Sequence, residues 1–211
     1  TNKVMIQEDC KEVLPEYLRF FKGVIDTNDL PLNVSRELTQ NSPVLAKIKQ
    51  TLVSKILKHL EKMAEENGDK FKTFYKNFGA ILKSGLNSDF VNRDKIISVL
   101  RFETNKTSDG KMISLKEYVT AMKTDQEEIY YLSGSDKNTL MKNPNLEFFT
   151  KNEIDVLLLT DPADPFVVAT IGEFEGKKIK SIENSDLKVF DKKVEKPDNE
   201  MDKKLIAKIK E

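Results

Sequence analysis

The sequence predicts a mixed α/β (α+β) fold: a run of helices followed by a small three-layer αβα lobe. Three observations predict it. Apolar residues recur at helical spacing from Val44 to Ala64 and again from Phe71 to Leu82. Two short apolar runs, Ile129-Tyr130-Tyr131-Leu132 and the one ending in Val156-Leu157-Leu158-Leu159, are separated by a helical stretch, as in a β-α-β crossover. Lys178-Ile179-Lys180-Ser181-Ile182 then alternates with the period of a strand.

Taken in order, residues 3–8 read as a short strand. Residues 12–25 read as helical segments broken at Pro15 and Gly23, with Leu14, Leu18, Phe21 and Ile25 as one buried stripe and Tyr17 and Phe20 packing beside it. Ser42-Pro43 opens the clearest helix, serine as N-cap and proline as first helical residue. Leu45, Ile48, Leu52, Ile56, Leu60 and Met63 lie on its apolar side and a row of lysines on the other, and Asn67-Gly68 is expected to end it as a left-handed cap. A second helix is predicted over 69–83, with an aromatic stripe of Phe71, Phe74, Tyr75 and Phe78, and a third over 87–100.

From Arg101 the period changes. Thr107-Ser108-Asp109-Gly110 reads as a turn, and Ser114 with Glu117 fits a capping box opening a helix through Met122. After the strand at 129–132, Ser133-Gly134-Ser135 is a turn, and 139–150 is helical with an interruption at Pro144. The apolar strand over 154–159 suits a position buried on both faces. Residues 178–182 are expected at an edge. Residues 184–199 read as a charged linker and 201–210 as a final amphipathic helix.

Composition narrows the function. Lys+Arg and Asp+Glu both number 35, so nothing in the charge balance favours nucleic acid as a partner. One cysteine, Cys10, forms neither an internal disulfide nor a cysteine zinc cluster and fits a reducing cytoplasm. The longest apolar runs are far too short to span a bilayer, so no membrane is expected.

Chemistry concentrates in Asp29-Leu30-Pro31-Leu32-Asn33-Val34-Ser35-Arg36-Glu37-Leu38-Thr39-Gln40. Pro31 stiffens the loop, Asn33 and Ser35 suit a helix start, and Arg36 and Gln40 are four apart on one helical face. A guanidinium held at a set height suits an anion, most naturally a phosphate. The plainer reading pairs Arg36 with Glu37, Asp26 or Asp29 on a solvated surface.

Other candidates are weaker. Glu153, Asp155, Asp161 and Asp164 cluster near the ends of one strand and could serve a hard cation or acid–base work, but Asp161-Pro162-Ala163-Asp164-Pro165 is ordinary turn composition without calcium-loop spacing, and no metal is expected. Ser133-Gly134-Ser135 lacks a phosphate-loop pattern, and His59, the single histidine, has no motif around it and reads as a boundary residue. Phe166 and Val167 follow Pro165; either they pack a helix onto the sheet or, if exposed, they mark a binding surface.

Leu-Pro-Leu-Asn-Val-Ser-Arg-Glu resembles the middle segment of the heat-shock protein 90 family, most nearly its bacterial high-temperature protein G branch. Leu14-Pro15-Glu16-Tyr17-Leu18-Arg19-Phe20, Ser-Leu-Lys-Glu-Tyr-Val-Thr-Ala-Met-Lys and Glu-Phe-Glu-Gly-Lys add to the likeness, which runs from about residue 3 to 182. The resemblance implies an ATP-dependent chaperone of the stress response. In it, Arg36 would reach the γ-phosphate of ATP held with Mg²⁺ in a separate N-terminal domain, and Gln40 would support it. It implies a truncated α/β lobe with the arginine loop and long helix over 1–67, a helical connector over 68–100, the small αβα lobe over 101–183, and a linker with the first C-terminal-domain helix over 184–211. It implies unfolded clients as partners, and a homodimer formed through a C-terminal domain. The chain opens on Thr1 and, by the resemblance, inside a domain, so it is expected to be a piece of a longer protein, lacking the nucleotide pocket, binding no cofactor and inactive alone. Phe166 falls where the bacterial branch carries a client-binding aromatic, but Pro165 stands in place of the acid beside it. The alternative is a non-enzymatic protein-interaction module that needs no phosphate.

Overall fold

The helical period of residues 44–64 becomes one continuous element in the computed structural model, which describes residues 3–8, 10, 12–29, 42–66, 68–108 and 110–183. Helix α1 spans Pro43–Glu66 and buries Leu45, Val53, Leu57 and Leu60. Helix α2, Gly68–Ser88, follows at once and packs beside it; Gly68 opens α2 instead of capping α1, and Asp69 in the first turn suits the positive end of the helix. Helix α2 also runs a turn further than its aromatic stripe suggests. The single helix expected over 87–100 is two elements: a 3₁₀ turn, Phe90–Asn92, and helix α3, Arg93–Val99. The break comes from Asp89, whose side chain accepts from the Asn92 amide and caps the tighter turn.

The remaining elements are strand β1 (Glu103–Thr104), helix α4 (Leu115–Ala121), strand β2 (Glu128–Ser133), helices α5 (Lys137–Leu140) and α6 (Pro144–Lys151), strand β3 (Val156–Leu159), helix α7 (Asp164–Ile171), and strands β4 (Glu173–Phe174) and β5 (Lys177–Ser181). The five-stranded sheet has the order β1-β3-β2-β5-β4. Strands β2 and β3 are parallel, with Tyr130 opposite Val156 and Leu132 opposite Leu158, as the crossover pattern predicts. Strand β5 is also parallel to β2, but it is not the edge: the two residues of β4 pair outside it, antiparallel.

Alternation along the central strands sorts two cores. Tyr130, Leu132, Val156 and Leu158 face Leu140, Leu146 and Phe149 on the α5–α6 side. Ile129, Leu157 and Leu159 face the other way, into a core shared with α1, α2, α3, α4 and α7. Strand β3 is therefore buried on both faces, and its near-continuous apolar run follows from that. Helix α4 starts with the expected capping box, Ser114 and Glu117 each accepting from the other's backbone amide.

Tyr118 of α4 joins helix to sheet. Its buried hydroxyl donates to the Asp155 carbonyl and accepts from the Tyr130 amide at 3.1 Å and from Gln126 Nε2 at 3.3 Å. Tyr118→Phe would strand a sheet amide and a carbonyl in the interior, and the variant is expected to lose about 2 kcal/mol in urea denaturation. A loss under about 0.5 kcal/mol would show that those groups find other partners.

Two expectations near the start are corrected. Residues 3–8 form no strand; Val4 and Met5 are exposed and Lys3 has a positive φ of 62°. The segment over 12–25 is helical only in the 3₁₀ turn Glu16–Leu18. Within the proposed stripe Leu18 is buried, Leu14 and Phe21 pack partly against the core, and Ile25 is exposed; Tyr17, expected beside the stripe, is wholly buried. The linker and helix expected over 184–211 lie outside the described residues.

Candidate functional site

The loop that carries Arg36 and Gln40, residues 30–41, lies outside the described residues. Its flanks are described. The Asp29 amide donates to Thr27 Oγ1 at 3.1 Å, and Ser42, buried at the head of α1, accepts from the Ala46 amide at 3.1 Å. The Ser42 hydroxyl, expected to cap α1, has no hydrogen-bond partner among the described residues.

The apolar candidates separate. Helix α7 buries Val167, Val168 and Ile171 in the shared core, whereas Phe166 is 73% exposed. Consecutive helical positions point about 100° apart, so a helix that turns Val167 inward presents Phe166 to water. Phe166 therefore offers surface and Val167 packing.

Both ends of α7 are tied to the helical coil. At its N-terminal end, Lys83 of α2 sits 2.6 Å from Asp164 Oδ1 and donates to Asp161 Oδ2 at 2.7 Å, with Tyr75 beneath its ammonium at 5.6 Å from the ring centre. At the C-terminal end, the Arg93 guanidinium donates to the carbonyls of Thr170 and Ile171, a cation where the helix dipole is negative. At the same end Thr170 Oγ1 donates to Asn87 Oδ1 at 3.3 Å.

The charges in this clamp shape one another. Burial by itself would depress the Lys83 ammonium, but Tyr75, Asp164 and Asp161 hold it above the ordinary lysine value. Burial keeps the Asp164 carboxyl above its ordinary range although Lys83 pulls it down. For Asp161 burial is outweighed by the hydrogen bond from Lys83, and the carboxyl lies below its ordinary value. Burial pushes the Tyr75 hydroxyl up to about 12.

This accounts for the acidic cluster read as a possible cation or acid–base site. Asp161 and Asp164 are engaged by Lys83, Asp155 accepts from Thr104 Oγ1 at 2.9 Å, and Glu153 faces Lys123 at 3.7 Å. The four carboxylates do not converge, and among the described residues no group of three or more His, Cys, Asp or Glu side chains could hold a metal ion. Gly134 is explained by packing: a Cβ there would meet Leu140 Cδ2 at 2.6 Å. His59 is exposed. One cavity of about 500 Å³ is lined by Asn105, Lys106, Lys123 and Glu153, and one of about 250 Å³ by His59, Met63 and Lys70; Phe166 belongs to neither.

Sequence reasoning passed over Lys83 and Arg93. A signal for Lys83 was present, since it lies four residues after Gly79 and one after Leu82 on the face of α2 that carries Tyr75 and Leu86. A lysine there must find an anion. Arg93 gave no such signal, because its partners are backbone carbonyls from a distant helix.

A family model described as Hsp90 protein matches residues 1–211. A protein of Chlorobium phaeovibrioides named Chaperone protein HtpG is 56% identical over 193 residues, covering 92% of this chain and 31% of its own length. Proteins of the same name from Geobacter metallireducens, 46% identical over 185 residues (88% of this chain, 28% of their length), and Alkalilimnicola ehrlichii, 42% over 218 (99% and 33%), are similar as well. The chain thus spans roughly a third of the length of the curated relatives it matches. Matched over its whole length by the family model, and similar to proteins named Chaperone protein HtpG, the chain is a member of the Hsp90 protein family, in its bacterial branch.

Proposed function

We propose that this chain is the middle segment of an ATP-driven molecular chaperone, and that it lends an arginine to a nucleotide site in a neighbouring domain. The carrying observation is the string Leu30 to Gln40, set within a family match that covers the whole chain. Arg36 supplies a fixed positive charge and a planar fork of donors to the γ-phosphate of ATP, and Gln40 holds the arginine's approach. Mg²⁺ travels with the nucleotide. The 211-residue chain by itself then hydrolyses nothing, because the reading assigns the pocket to the N-terminal ATPase domain, the partner against which Arg36 closes.

Phe166 is the client contact in this reading: a large, exposed aromatic on a helix tied down at both ends. Clients are unfolded or partly folded polypeptides, which expose the apolar side chains that such a surface recognises. The parent is a homodimer through its C-terminal domain and works in the cytoplasm, consistent with a single cysteine and with no helix, among the described residues, long and apolar enough to cross a membrane. The test is the full-length protein carrying Arg36→Ala: turnover lost with nucleotide affinity kept supports the reading, and turnover kept overturns it.

A further inference from the structure

The 3₁₀ turn Phe90–Asn92 is built inside out. It buries its polar residue, Asn92, and turns its apolar ones to water: Phe90 is 71% exposed and Val91 83%. The backbone holds that arrangement. The Asp89 carboxylate accepts from the Asn92 amide at 3.2 Å, from Asn92 Nδ2 at 2.9 Å and from the Tyr17 hydroxyl at 2.8 Å. A solvated turn gains nothing in folding from an outward phenylalanine and valine.

The turn is also placed. Arg93, the next residue, bonds the last carbonyls of α7, and Asn87, three residues before Phe90, bonds Thr170. Phe90 and Val91 thus stand at the C-terminal end of α7, while Phe166 stands near its N-terminal end. The five residues from Phe166 to Ile171 rise about 8 Å, which puts the two apolar stations on the order of 10–15 Å apart with side chains included. An extended chain advances about 3.3 Å per residue and bridges that gap with roughly four residues.

Area decides the occupant. Three exposed side chains of this size present on the order of 400 Å², well short of the ~800 Å² per partner that a stable protein interface buries. A second copy of the chain is therefore a poor fit, and a short extended segment is a good one. We infer that Phe90 and Val91 form, with Phe166, a two-station surface for an extended segment of an unfolded polypeptide carrying apolar side chains about four residues apart. The inference rests on the reading of Phe166 as a client contact and adds a second contact to it.

Fluorescence anisotropy tests it with the 211-residue chain and a labelled peptide of about ten residues bearing two phenylalanines at that spacing, beside a matched peptide with serine in their place. Phe90→Ser/Val91→Ser and Phe166→Ser are each expected to weaken the phenylalanine peptide at least about fivefold. Val24→Ser, a change at another exposed apolar residue, should leave binding as it is. Unfolding midpoints equal to the parent's show that the variants fold, as exposed positions lead one to expect. If Phe90→Ser/Val91→Ser behaves like Val24→Ser while Phe166→Ser weakens binding, the second station is overturned and the Phe166 reading stands. If Phe166→Ser is silent, that reading falls and the two-station surface with it. Equal binding of the serine peptide, or no binding by the parent chain, overturns both.

Discussion

Full-length protein carrying Arg36→Ala is expected to turn over ATP about 10²–10³-fold more slowly while its affinity for the nucleotide changes by less than about threefold. The asymmetry is the point. A guanidinium aimed at a transferring phosphoryl group meets more charge in the transition state than in bound ATP, so its removal raises the barrier more than it weakens the ground state. In the proposed function the ground state is held by a separate domain, which Arg36 would join only when the two approach. Arg36→Lys should recover a minor part of the rate, because lysine keeps the charge and loses the fork. Gln40→Ala should act in the same direction and less strongly, since in the proposed function Gln40 only supports the arginine and carries no charge of its own. Single-turnover hydrolysis together with nucleotide titration separates the two quantities. If Arg36 does no more than pair with Glu37, Asp26 or Asp29 on a solvated surface, Arg36→Ala leaves turnover where it was, and the assignment is lost.

What the sequence made legible were the elements whose own residues determine them. The helix over Pro43–Glu66 shows a full apolar stripe. The start of α4 needs only Ser114 and Glu117. The parallel pair β2–β3 is announced by two apolar runs with helices between. Elements that depend on a partner were not legible. Val4 and Ile6 alternate as a strand would, but a strand exists only when another chain segment pairs with it, and residues 3–8 join no sheet. The two-residue strands β1 and β4 are created by their neighbours β3 and β5. Gly68 reads equally well as the end of one helix or the start of the next; the immediate run of Asp69, Phe71 and Tyr75 decides for the latter. At the candidate site the aromatic at 166 was legible, but its exposure was not, because that follows from which side of α7 meets the sheet. The clamp was least legible. Lys83 and Asp161 are 78 residues apart, and only the fold brings them to 2.7 Å.

That clamp carries the largest expected effect on stability. Lys83→Met should destabilise the chain by about 3 kcal/mol at pH 7, at the lower end for breaking a buried ion pair, because the two carboxylates left behind differ. Asp161, with its side chain 32% exposed, can hydrate; Asp164, at 8%, cannot. For a chain of this size the change corresponds to a midpoint lower by roughly 6–12 °C. The pH dependence separates this cause from a simple packing defect. With Lys83 present, the Asp161 carboxyl lies below its ordinary value, so its contribution is present above the unfolded pKa and is lost as pH falls through the folded one. Asp164 lies above its ordinary value, so its contribution has the opposite sign: it is greatest at low pH and is lost as pH rises through the raised value. Lys83, held above the ordinary lysine value, contributes fully below the unfolded lysine pKa and loses its effect only as pH rises through its own. At neutral and mildly acidic pH the two carboxyls therefore oppose each other in the parent chain. Without Lys83 the buried Asp164 carboxyl loses the charge that pulls it down, prefers still more to be protonated in the folded state, and the variant regains stability relative to the parent as pH falls from about 7 to about 5. Urea denaturation of the two chains at both pH values measures the gap. A gap that stays constant would mean that Lys83 acts through its methylene stem and not through its charge, and a gap below about 1 kcal/mol at pH 7 would mean that water already shares the site.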